Sequence, residues 1–344
     1  MNQDSLNLYL VTSSKIWFCL FVSYCFLLYS LPWISVHIMF IGLFTCVLST
    51  LKLPSPNPSH VQQVLGDLSY NRSKNTADIV AHRAACLDAP ENSVEAVRRA
   101  AARGATWVEF DVSLTSDGVG VVFHDDTVDR VTTGSGQVNS FSLAQLFLLD
   151  LASKFNKPET FKDVRIATVE EFVNECLRHE MKMIIDLKTY SQPMETIALL
   201  TYLYSKHPTL KQNSIVTSFF PNLLYALRSG HPDAVAAIST RPGFFSCKSW
   251  EGTRASITPR YSGLRQLVSR GMDLVFAPLL DSLIWWMVGL SAVLVHRHVI
   301  TREYVDTWRA RGVTVMAWTV NCPIEKKFYR NVIKIPVLSD TMNE

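Results

Sequence analysis

The chain has 344 residues, which at roughly 150 residues per domain fits two domains or one large α/β barrel. Its 33 Lys and Arg residues nearly balance 30 Asp and Glu residues, for a net charge of +3. The basic excess typical of nucleic-acid-binding proteins is absent, so we expect no nucleic-acid partner. Hydrophobic residues make up 48% of the chain and charged residues only 18%, a balance that points to local apolar segments.

The first apolar segment, residues 16–51, contains no Asp, Glu, Lys or Arg. A helix of this length is nearly twice as long as a hydrocarbon core of about 30 Å requires. Pro32 divides the segment, which therefore fits either one kinked span or a tight hairpin. A cleaved signal peptide has an apolar run of only about 7 to 15 residues. We predict a membrane anchor over residues 1–53 and a linker over residues 54–75.

The sequence near this anchor says little about its orientation. Lys15 and Lys52 give each flank a single lysine, so the positive-inside rule has nothing to compare. The triplet Asn71-Arg72-Ser73 is a glycosylation acceptor sequence, which predicts a luminal or extracellular glycoprotein. The seven cysteines include no Cys-x-x-Cys pair, so a zinc or thioredoxin-type site is not indicated and the disulfide state stays open.

Residues 76–344 alternate short β-branched runs with amphipathic helical stretches, as repeated βαβ units do. The predicted strands are 78–82, 107–112, 119–124, 183–188, 214–218, 234–239, 293–300 and 313–320. Predicted helices between them are 93–103, 168–179, 195–206, 221–228 and 301–311. Eight strands predict an α/β fold of the TIM (β/α)8 barrel type. A doubly wound open sheet is the alternative, although its Gly-x-Gly-x-x-Gly fingerprint is missing.

Polar residues fall at the ends of four predicted strands, as His82-Arg83, Glu109-x-Asp111, His124-Asp125 and Asp186-x-Lys188. In such a barrel these ends meet at one mouth, where active sites lie. Residues two apart on a strand share a face, so Glu109 lies beside Asp111. Two carboxylates directed into a barrel repel each other unless a cation separates them. Oxygen ligands of this kind predict a magnesium or calcium site.

Several sequence blocks, taken in order, resemble the glycerophosphodiester phosphodiesterases. They are Val80-Ala81-His82-Arg83, Ala89-Pro90-Glu91-Asn92-Ser93, Val108-Glu109-Phe110-Asp111-Val112, Ser116-Asp117-Gly118, Phe123-His124-Asp125, Trp318-Thr319-Val320-Asn321 and Leu338-Ser339-Asp340-Thr341-Met342. The resemblance implies a metal-dependent TIM barrel that cleaves a phosphodiester into sn-glycerol 3-phosphate and an alcohol. The apolar N-terminus and the Asp186-Leu187-Lys188 block are most similar to animal membrane members of the family that act on glycerophosphoinositol.

The resemblance also implies a role for each site residue. His82 and His124 correspond to the catalytic acid and base, in an order that the sequence leaves open. The implied substrate-binding residues are Arg83 and Lys188 for phosphate, Glu91 for glycerol, and Trp318. The implied metal ligands are Glu109, Asp111 and Asp186, for a divalent cation that we expect to be Mg²⁺, with Ca²⁺ as the alternative.

Two residues depart from the family pattern. Ala84 replaces the glycine of the family's His-Arg-Gly block, and a positive φ at that position costs about 1 kcal/mol or more in alanine. Asp186 stands where the family usually has a glutamate, which is one methylene longer. Both departures predict reduced activity or weaker metal binding, and they motivate the alternative of an inactive membrane scaffold.

A second apolar stretch, residues 274–295, contains Trp285 and Trp286. It is long enough to span a bilayer, but predicted barrel strands precede and follow it, and a closed barrel cannot be divided by a membrane. We therefore predict an apolar insertion before strand seven that lies in the membrane interface, with its tryptophans at headgroup depth. The alternative is a buried strand preceded by an ordinary hydrophobic helix.

These observations predict an integral membrane hydrolase whose partners are a glycerophosphodiester and membrane lipid, with protein partners unknown. A lysophospholipase D that acts on lyso- or N-acyl-lysophospholipids has the same chemistry and is the alternative enzyme. We expect the catalytic domain on the luminal or extracellular side, from the resemblance and the Asn71 acceptor sequence. A hairpin in the N-terminal segment would instead place it on the cytosolic face.

Overall fold

A computed structural model of the chain describes residues 3–66, 68, 76–156, 160–189, 191–250, 252 and 257–343. It divides into two compact units, Met1–Lys52 and Leu53–Glu344. The first unit is one helix, α1, Gln3–Leu51, without the chain reversal that a hairpin requires. Its segment Phe21–Leu51 is long and apolar enough to cross a membrane. The predicted glycosylation triplet lies outside the described residues.

The second unit is built on a closed parallel β-barrel. Its eight strands are β1, Ile79–Ala81; β2, Trp107–Leu114; β3, Lys182–Leu187; β4, Ser214–Ser218; β5, Ala236–Thr240; β6, Ala292–His296; β7, Thr314–Trp318; and β8, Val337–Ser339. Each strand pairs in parallel with its neighbours, and β1 pairs with both β2 and β8, which closes the barrel. The predicted TIM (β/α)8 fold is confirmed.

The structure differs from the prediction in which strands form the barrel. Predicted strand 119–124 is a short strand, Gly120–Val122, that pairs antiparallel with β2 outside the barrel. The turn at Asp117 and Gly118, where Gly118 has a φ of 76°, reverses the chain. The true eighth strand, β8, has only three residues and too little pattern to be recognised. The second apolar stretch therefore precedes strand six, although it was expected before strand seven.

The helices surround the barrel as the sequence pattern predicts. They are α2, Pro58–Leu65; α3, Val94–Ala102; α4, Leu143–Leu146; α5, Val169–Arg178; α6, Pro193–Lys206; α7, Pro221–Gly230; α8, Gly263–Leu279; α9, Trp285–Val288; α10, Arg302–Ala310; and α11, Pro323–Lys327. Ser93, Thr168 and Thr301 each accept a hydrogen bond from the backbone amide three residues later. These N-caps satisfy amide groups that the first turn leaves without partners and define where the helices begin.

Part of the segment expected as a linker closes the bottom of the barrel. Val64 and Leu65 of α2 are buried against Trp107, the first residue of β2, in a cluster of inward-facing strand residues. The Lys182 ammonium group donates to the carbonyl oxygens of Gln63 and Val64 at 3.0 and 3.2 Å. Apolar contacts at the N-terminal ends of the strands thus hold α2 in place, and the opposite end remains open.

The segment between β5 and β6 forms a long excursion. It contains a small hairpin, Cys247–Ser249 and Thr258–Pro259, then α8, a π-helical turn and α9. Helices α8 and α9 together pass the length and hydropathy test for a membrane span. Trp285 is half-buried and packs edge-on against Trp308 of α10, with ring centroids 6.1 Å apart. Trp285 therefore contacts the barrel with part of its ring, and its position at headgroup depth stays a prediction.

Candidate active site

The C-terminal ends of the strands enclose a cavity of about 570 Å³. Seven of the predicted site residues line it, namely His82, Arg83, Glu109, His124, Asp186, Lys188 and Trp318. Asp111 is buried directly behind Lys188, 3.1 Å from its ammonium nitrogen. Glu91 lines an adjoining cavity of about 410 Å³ that also borders His82 and Arg83. The structure therefore brings together every residue that the sequence pattern selected.

The acidic residues of β2 and β3 form one compact group. Asp111 and Asp186 are register partners on adjacent strands, and Glu109 is two residues before Asp111 on the same face. Oxygen atoms of Glu109, Asp111 and Asp186 all lie within 4.8 Å of one another. Such a group of carboxylate oxygens is the donor set that a hard divalent cation prefers.

The protonation of this group follows from its burial and its cations. Burial, reinforced by the Asp111 charge, raises the pKa of Glu109 to about 7. Burial also raises the pKa of Asp186, although the ammonium group of Lys188 lies 2.6 Å away. Burial opposes the ionisation of Asp111, but Lys188, His124 and Arg83 hold its pKa well below the usual range. The acidic group is therefore only partly compensated by the cations of the chain.

Asp186 supplies direct evidence that a cation fits here. Its Oδ1 atom is buried and, among the described residues, has no hydrogen-bond partner. A buried carboxylate oxygen without a partner is costly, because it loses its water and gains no donor. A divalent cation between Glu109, Asp111 and Asp186 would satisfy this oxygen and lower the repulsion within the group. The residues present fit a divalent metal.

His82 is held by a carboxylate from the end of the chain. Its Nδ1 donates to Asp340 Oδ1 at 2.5 Å, and its Nε2 lies 3.9 Å from Glu109 Oε2. Burial lowers the pKa of His82, but Glu109 and Asp340 outweigh burial and the net shift is upward. Asn321 donates to the other Asp340 oxygen at 2.7 Å and orients it. Asp340 was not predicted as a site residue, although it lies in the block Leu338-Ser339-Asp340-Thr341-Met342 that resembles the family.

His124 has a matching arrangement with the opposite shift. Its Nδ1 donates to Asp125 Oδ1 at 2.6 Å. Its Nε2 lies 2.9 Å from Arg83 Nη2, and because a guanidinium group can only donate, Nε2 must accept. Burial lowers the pKa of His124, and the charge of Asp111 does not offset it. At neutral pH His124 is thus the neutral imidazole and His82 the one that favours the charged form.

Arg83 occupies the centre of the site on a tight turn. Arg83, Ala84 and Ala85 have φ values of 49°, 60° and 66°, in the left-handed region that costs non-glycine residues about 1 to 2 kcal/mol each. The turn allows the Arg83 amide to donate to Glu109 Oε2 at 2.8 Å. The Ala84 departure is therefore accommodated at its expected positive φ, with the backbone turn intact.

A second arginine, which the sequence analysis missed, supports one side of the site. Arg130 donates to both oxygens of Glu91, at 2.9 and 2.6 Å, and to Asp125 at 2.5 Å. It thereby links Glu91 to the carboxylate that orients His124. Arg130 lies in the inserted loop region between β2 and β3, where no strand or helix periodicity marks functional residues.

We call His82, Arg83, Glu109, Asp111, His124, Asp186 and Lys188 the charged floor of the cavity. The other side, the aromatic wall, consists of Phe219, Phe244 and Phe245, which line the cavity, and of Phe276, which packs behind Phe245. Phe219 and Phe244 stack with centroids 5.0 Å apart, Phe244 contacts Phe245 at 5.0 Å, and Phe245 contacts Phe276 at 5.3 Å. The Lys188 ammonium group lies 5.5 Å from the Phe219 centroid. The wall thus leads from the charged floor to helix α8.

Comparison with known proteins decides the family. Residues 82–344 match the glycerophosphoryl diester phosphodiesterase family. The chain belongs to this family. It is 35% identical over 278 residues to glycerophosphodiester phosphodiesterase 1 of Mus musculus, covering 80% of this chain and 82% of the mouse protein. Identity to the Homo sapiens protein of the same name is 33% over the same shares of both chains. The chain is a phosphoric diester hydrolase.

Solved structures share the barrel. A phosphodiesterase of Oleispira antarctica in complex with the product sn-glycerol-3-phosphate has a TM-score of 0.60 and 24% identity, covering 78% of this chain and 94% of that one. A glycerophosphoryl diester phosphodiesterase fold from Silicibacter pomeroyi has a TM-score of 0.61 at 20% identity, covering 81% and 94%. At these identities the likeness shows the fold alone. The family is divalent-metal dependent, in agreement with an acidic group able to hold an ion.

Proposed function

We propose that the enzyme hydrolyses glycerophosphodiesters of the glycerophosphoinositol type to sn-glycerol 3-phosphate and an alcohol, with a divalent metal. The observation that carries this proposal is the charged floor, where two histidines, two cations and three carboxylates meet at the end of one barrel. A phosphodiester requires neutralisation of its non-bridging oxygens and two proton transfers, and these residue types provide both.

In this proposal Glu109, Asp111 and Asp186 hold the metal, with Mg²⁺ favoured because all three donors are hard oxygens. When bound, the ion supplies positive charge that polarises the phosphoryl group. Arg83 and Lys188 add fixed positive charge next to it. Lys188 also ties Asp111 and Asp186 together, at 3.1 and 2.6 Å, so it positions two ligands as well as binding phosphate.

The two histidines divide the proton transfers according to their surroundings. Neutral His124, whose Nε2 lone pair is released when Arg83 turns from it to the phosphate, removes a proton from the attacking nucleophile. His82, whose pKa is raised by Glu109 and Asp340 despite burial, donates a proton to the leaving alkoxide. Asp125 and Asp340 hold the two rings at their Nδ1 atoms and direct both Nε2 atoms toward the substrate. This division assigns the acid and the base that the sequence left open.

The two cavities indicate how the substrate is oriented in the site. His82 and Arg83 border both of them, so a phosphate bound by Arg83 lies where the cavities meet. The smaller cavity contains Glu91 and Arg130, whose charged groups suit the hydroxyls of glycerol. The larger cavity, with Trp318 and the aromatic wall, has room for the alcohol. We place glycerol in the smaller cavity and the alcohol in the larger one.

A lysophospholipase D activity is the second candidate, because the aromatic wall offers an acyl chain a continuous apolar path. The wall extends from Phe219, beside Lys188, to Phe276 on α8. An N-acyl-lysophospholipid carries an acyl chain on its alcohol and needs such a surface, whereas inositol, a polyhydroxylated ring, does not. With α1 as a membrane anchor and the catalytic unit on the luminal or extracellular side, the enzyme would have access both to lipid substrates in the bilayer and to water-soluble ones.

The test uses the full chain in detergent with Mg²⁺, Ca²⁺ or EDTA, and measures glycerol 3-phosphate from glycerophosphoinositol and acyl-glycerol 3-phosphate (lysophosphatidic acid) from an N-acyl-lysophosphatidylethanolamine. We expect metal-dependent product that His124→Ala and Glu109→Ala abolish. The matched controls His179→Ala and Glu303→Ala change exposed residues and should retain activity. Absence of product from both substrates, with folded protein and metal present, would overturn the proposal and favour the scaffold.

A further inference from the structure

Helix α8 carries an apolar face that the barrel leaves uncovered. Leu264, Leu267 and Leu274 are 75%, 66% and 77% exposed. The remaining exposed apolar side chains of the helix are Val268, Met272, Val275 and Leu279. Contiguous exposed patches of more than a few hundred Å² are rare on soluble monomers and mark interaction surfaces. We call these seven residues the α8 face.

The arrangement of charge around the α8 face is that of a helix lying in a membrane surface. At about 100° per residue the seven side chains occupy an arc of roughly 160°. Arg265 and Arg270 fall just outside the two edges of this arc, and both side chains are exposed. Asp273 lies on the opposite side of the helix, where its carboxylate accepts from the amides of Phe245 and Ser246 at 2.9 and 3.0 Å. Flanking cations and a one-sided apolar face are typical of in-plane helices on anionic bilayers.

The same helix is attached to the barrel unit near its start and near its end. Gln266 donates to the Ser246 carbonyl at 2.9 Å, near the start of the helix. Phe276 contacts Phe245 near its end, and Leu280 just beyond it is buried in the core. A helix that crosses a bilayer is surrounded by lipid or by other spanning segments. Because β5 before α8 and β6 after it pair in the same barrel, a single crossing between them would divide the barrel, so the hydropathy of α8 has another cause.

The N-terminal apolar segment is joined to the barrel unit close to the end of this excursion. That segment ends at Leu51, and two residues later the Leu53 amide donates to the Met287 carbonyl at 2.8 Å. Two residues span at most about 7 Å. Pro54 accepts from Arg228 of α7 and fixes the same entry point. The chain that leaves the apolar segment therefore enters the barrel unit next to α9, which follows α8.

We propose that the α8 face is a membrane-docking surface, which lies in the plane of an anionic bilayer and holds the side of the barrel against it. Phe276 leads from α8 into the aromatic wall, so docking connects the bilayer with the cavity. This surface does not depend on the proposed activity, because contact with lipid can be measured without substrate.

The test uses the full chain in phosphatidylcholine vesicles with or without phosphatidylserine. A fluorescent amino acid replaces Leu264 or Val275, and quenching by lipids with nitroxides at known depths reports the position of each. A control probe replaces Arg99, an exposed residue of α3. Because α3 lies between β1 and β2 and α8 between β5 and β6, the two helices are on opposite sides of the barrel.

We expect equal, shallow depths at positions 264 and 275, roughly 5 to 10 Å below the headgroups, and no quenching at position 99. A spanning helix would instead separate the two probes by about 16 Å along the bilayer normal, which would overturn the proposal. Quenching at 264 and 275 no stronger than at 99 would also overturn it. If those probes were nevertheless shielded from aqueous iodide, the occupant would be a second protein copy.

The charge of the partner has its own test. Phosphatidylserine should strengthen quenching at position 264 severalfold, and added salt should remove the gain. The double variant Arg265→Gln and Arg270→Gln should lose this gain, while the matched pair Arg99→Gln and Arg302→Gln should keep it. An equal gain in both double variants would contradict docking through the cations beside the α8 face.

Discussion

The charged floor and the aromatic wall face each other across one cavity but are built differently. The floor has buried carboxylates, is joined by short hydrogen bonds, and is carried by β2, β3 and the segments that follow β1, β2 and β3. The wall comes from the loops after β4 and β5 and from α8, and its aromatic rings are half-buried. The floor therefore has the rigidity that bond cleavage needs, and the wall the apolar area that substrate selection needs. Chemistry and selectivity belong to separate parts of the chain.

The largest expected effect is on the floor. Replacing the base by His124→Gln should lower kcat about 10² to 10⁴-fold, the usual contribution of a general base, with little change in KM. His179→Gln, at an exposed position, should leave kcat unchanged. Steady-state kinetics on glycerophosphoinositol check this. A larger change in KM than in kcat would show that His124 binds substrate and does not move a proton.

Asp340 acts through His82, and its removal should cost less. Partners that orient site residues contribute about 10- to 100-fold, and we expect a loss of this size in Asp340→Asn. In the unmodified enzyme kcat/KM should fall below the pKa of His124, which lies under 6.5, and above that of His82, which lies over 6.5. Because Asp340 helps to raise the pKa of His82, Asp340→Asn should move the alkaline limb to lower pH.

The acid limb, which belongs to His124, should stay in place in Asp340→Asn. The exposed Asp306→Asn serves as the matched control, with both limbs unchanged. A loss of activity in Asp340→Asn without movement of the alkaline limb would show a purely structural role for Asp340. The full pH profile of kcat/KM distinguishes these outcomes.

The wall should influence one substrate class only. Phe244→Ala should raise KM for an N-acyl-lysophosphatidylethanolamine, whose alcohol carries an acyl chain, about tenfold or more, the size expected for a lost apolar contact. It should leave kinetics on glycerophosphoinositol within about twofold. Phe328→Ala, which removes an exposed ring elsewhere, is the control. An equal rise in KM on both substrates would contradict a separate role of the wall in substrate selection.

The smallest effect is expected at Ala84. Glycine at a φ of 60° relieves about 1 to 2 kcal/mol of backbone strain. It also adds about 0.5 to 1 kcal/mol of chain entropy cost and removes a buried methyl group worth about 0.8 kcal/mol. Ala84→Gly should therefore change the free energy of unfolding by less than about 1 kcal/mol, measured by urea titration. An increase in the free energy of unfolding well above this value would show that alanine strains the turn more than its φ value indicates.

The floor could be predicted from sequence because its residues lie at strand ends, where a period of two and short polar blocks leave a readable pattern. Glu109, Asp111 and Asp186 illustrate this, and seven of the eight barrel strands overlap runs predicted from the same alternation. Asp340 was harder, since its pairing with His82 joins residues 258 positions apart through the closure of β8 on β1. Three-residue β8 has too few side chains for any periodic signal.

The wall could not be predicted for a different reason. Phe219, Phe244 and Phe276 come from three separate loops and helices, and only the tertiary fold stacks their rings. Hydropathy identified residues 274–295, which overlap only the end of α8, because it does not record which side of a helix the barrel covers. For the same reason it does not show that Trp285 packs against Trp308.

The most direct measurement is the metal dependence of turnover by the full chain, titrated with Mg²⁺ after removal of bound metal by EDTA. We predict no glycerol 3-phosphate release without metal, saturable recovery with Mg²⁺, and a much higher Mg²⁺ requirement in Glu109→Gln than in the exposed control Glu303→Gln. Undiminished turnover in EDTA, or identical titrations of the two variants, would contradict a metal centre in the charged floor.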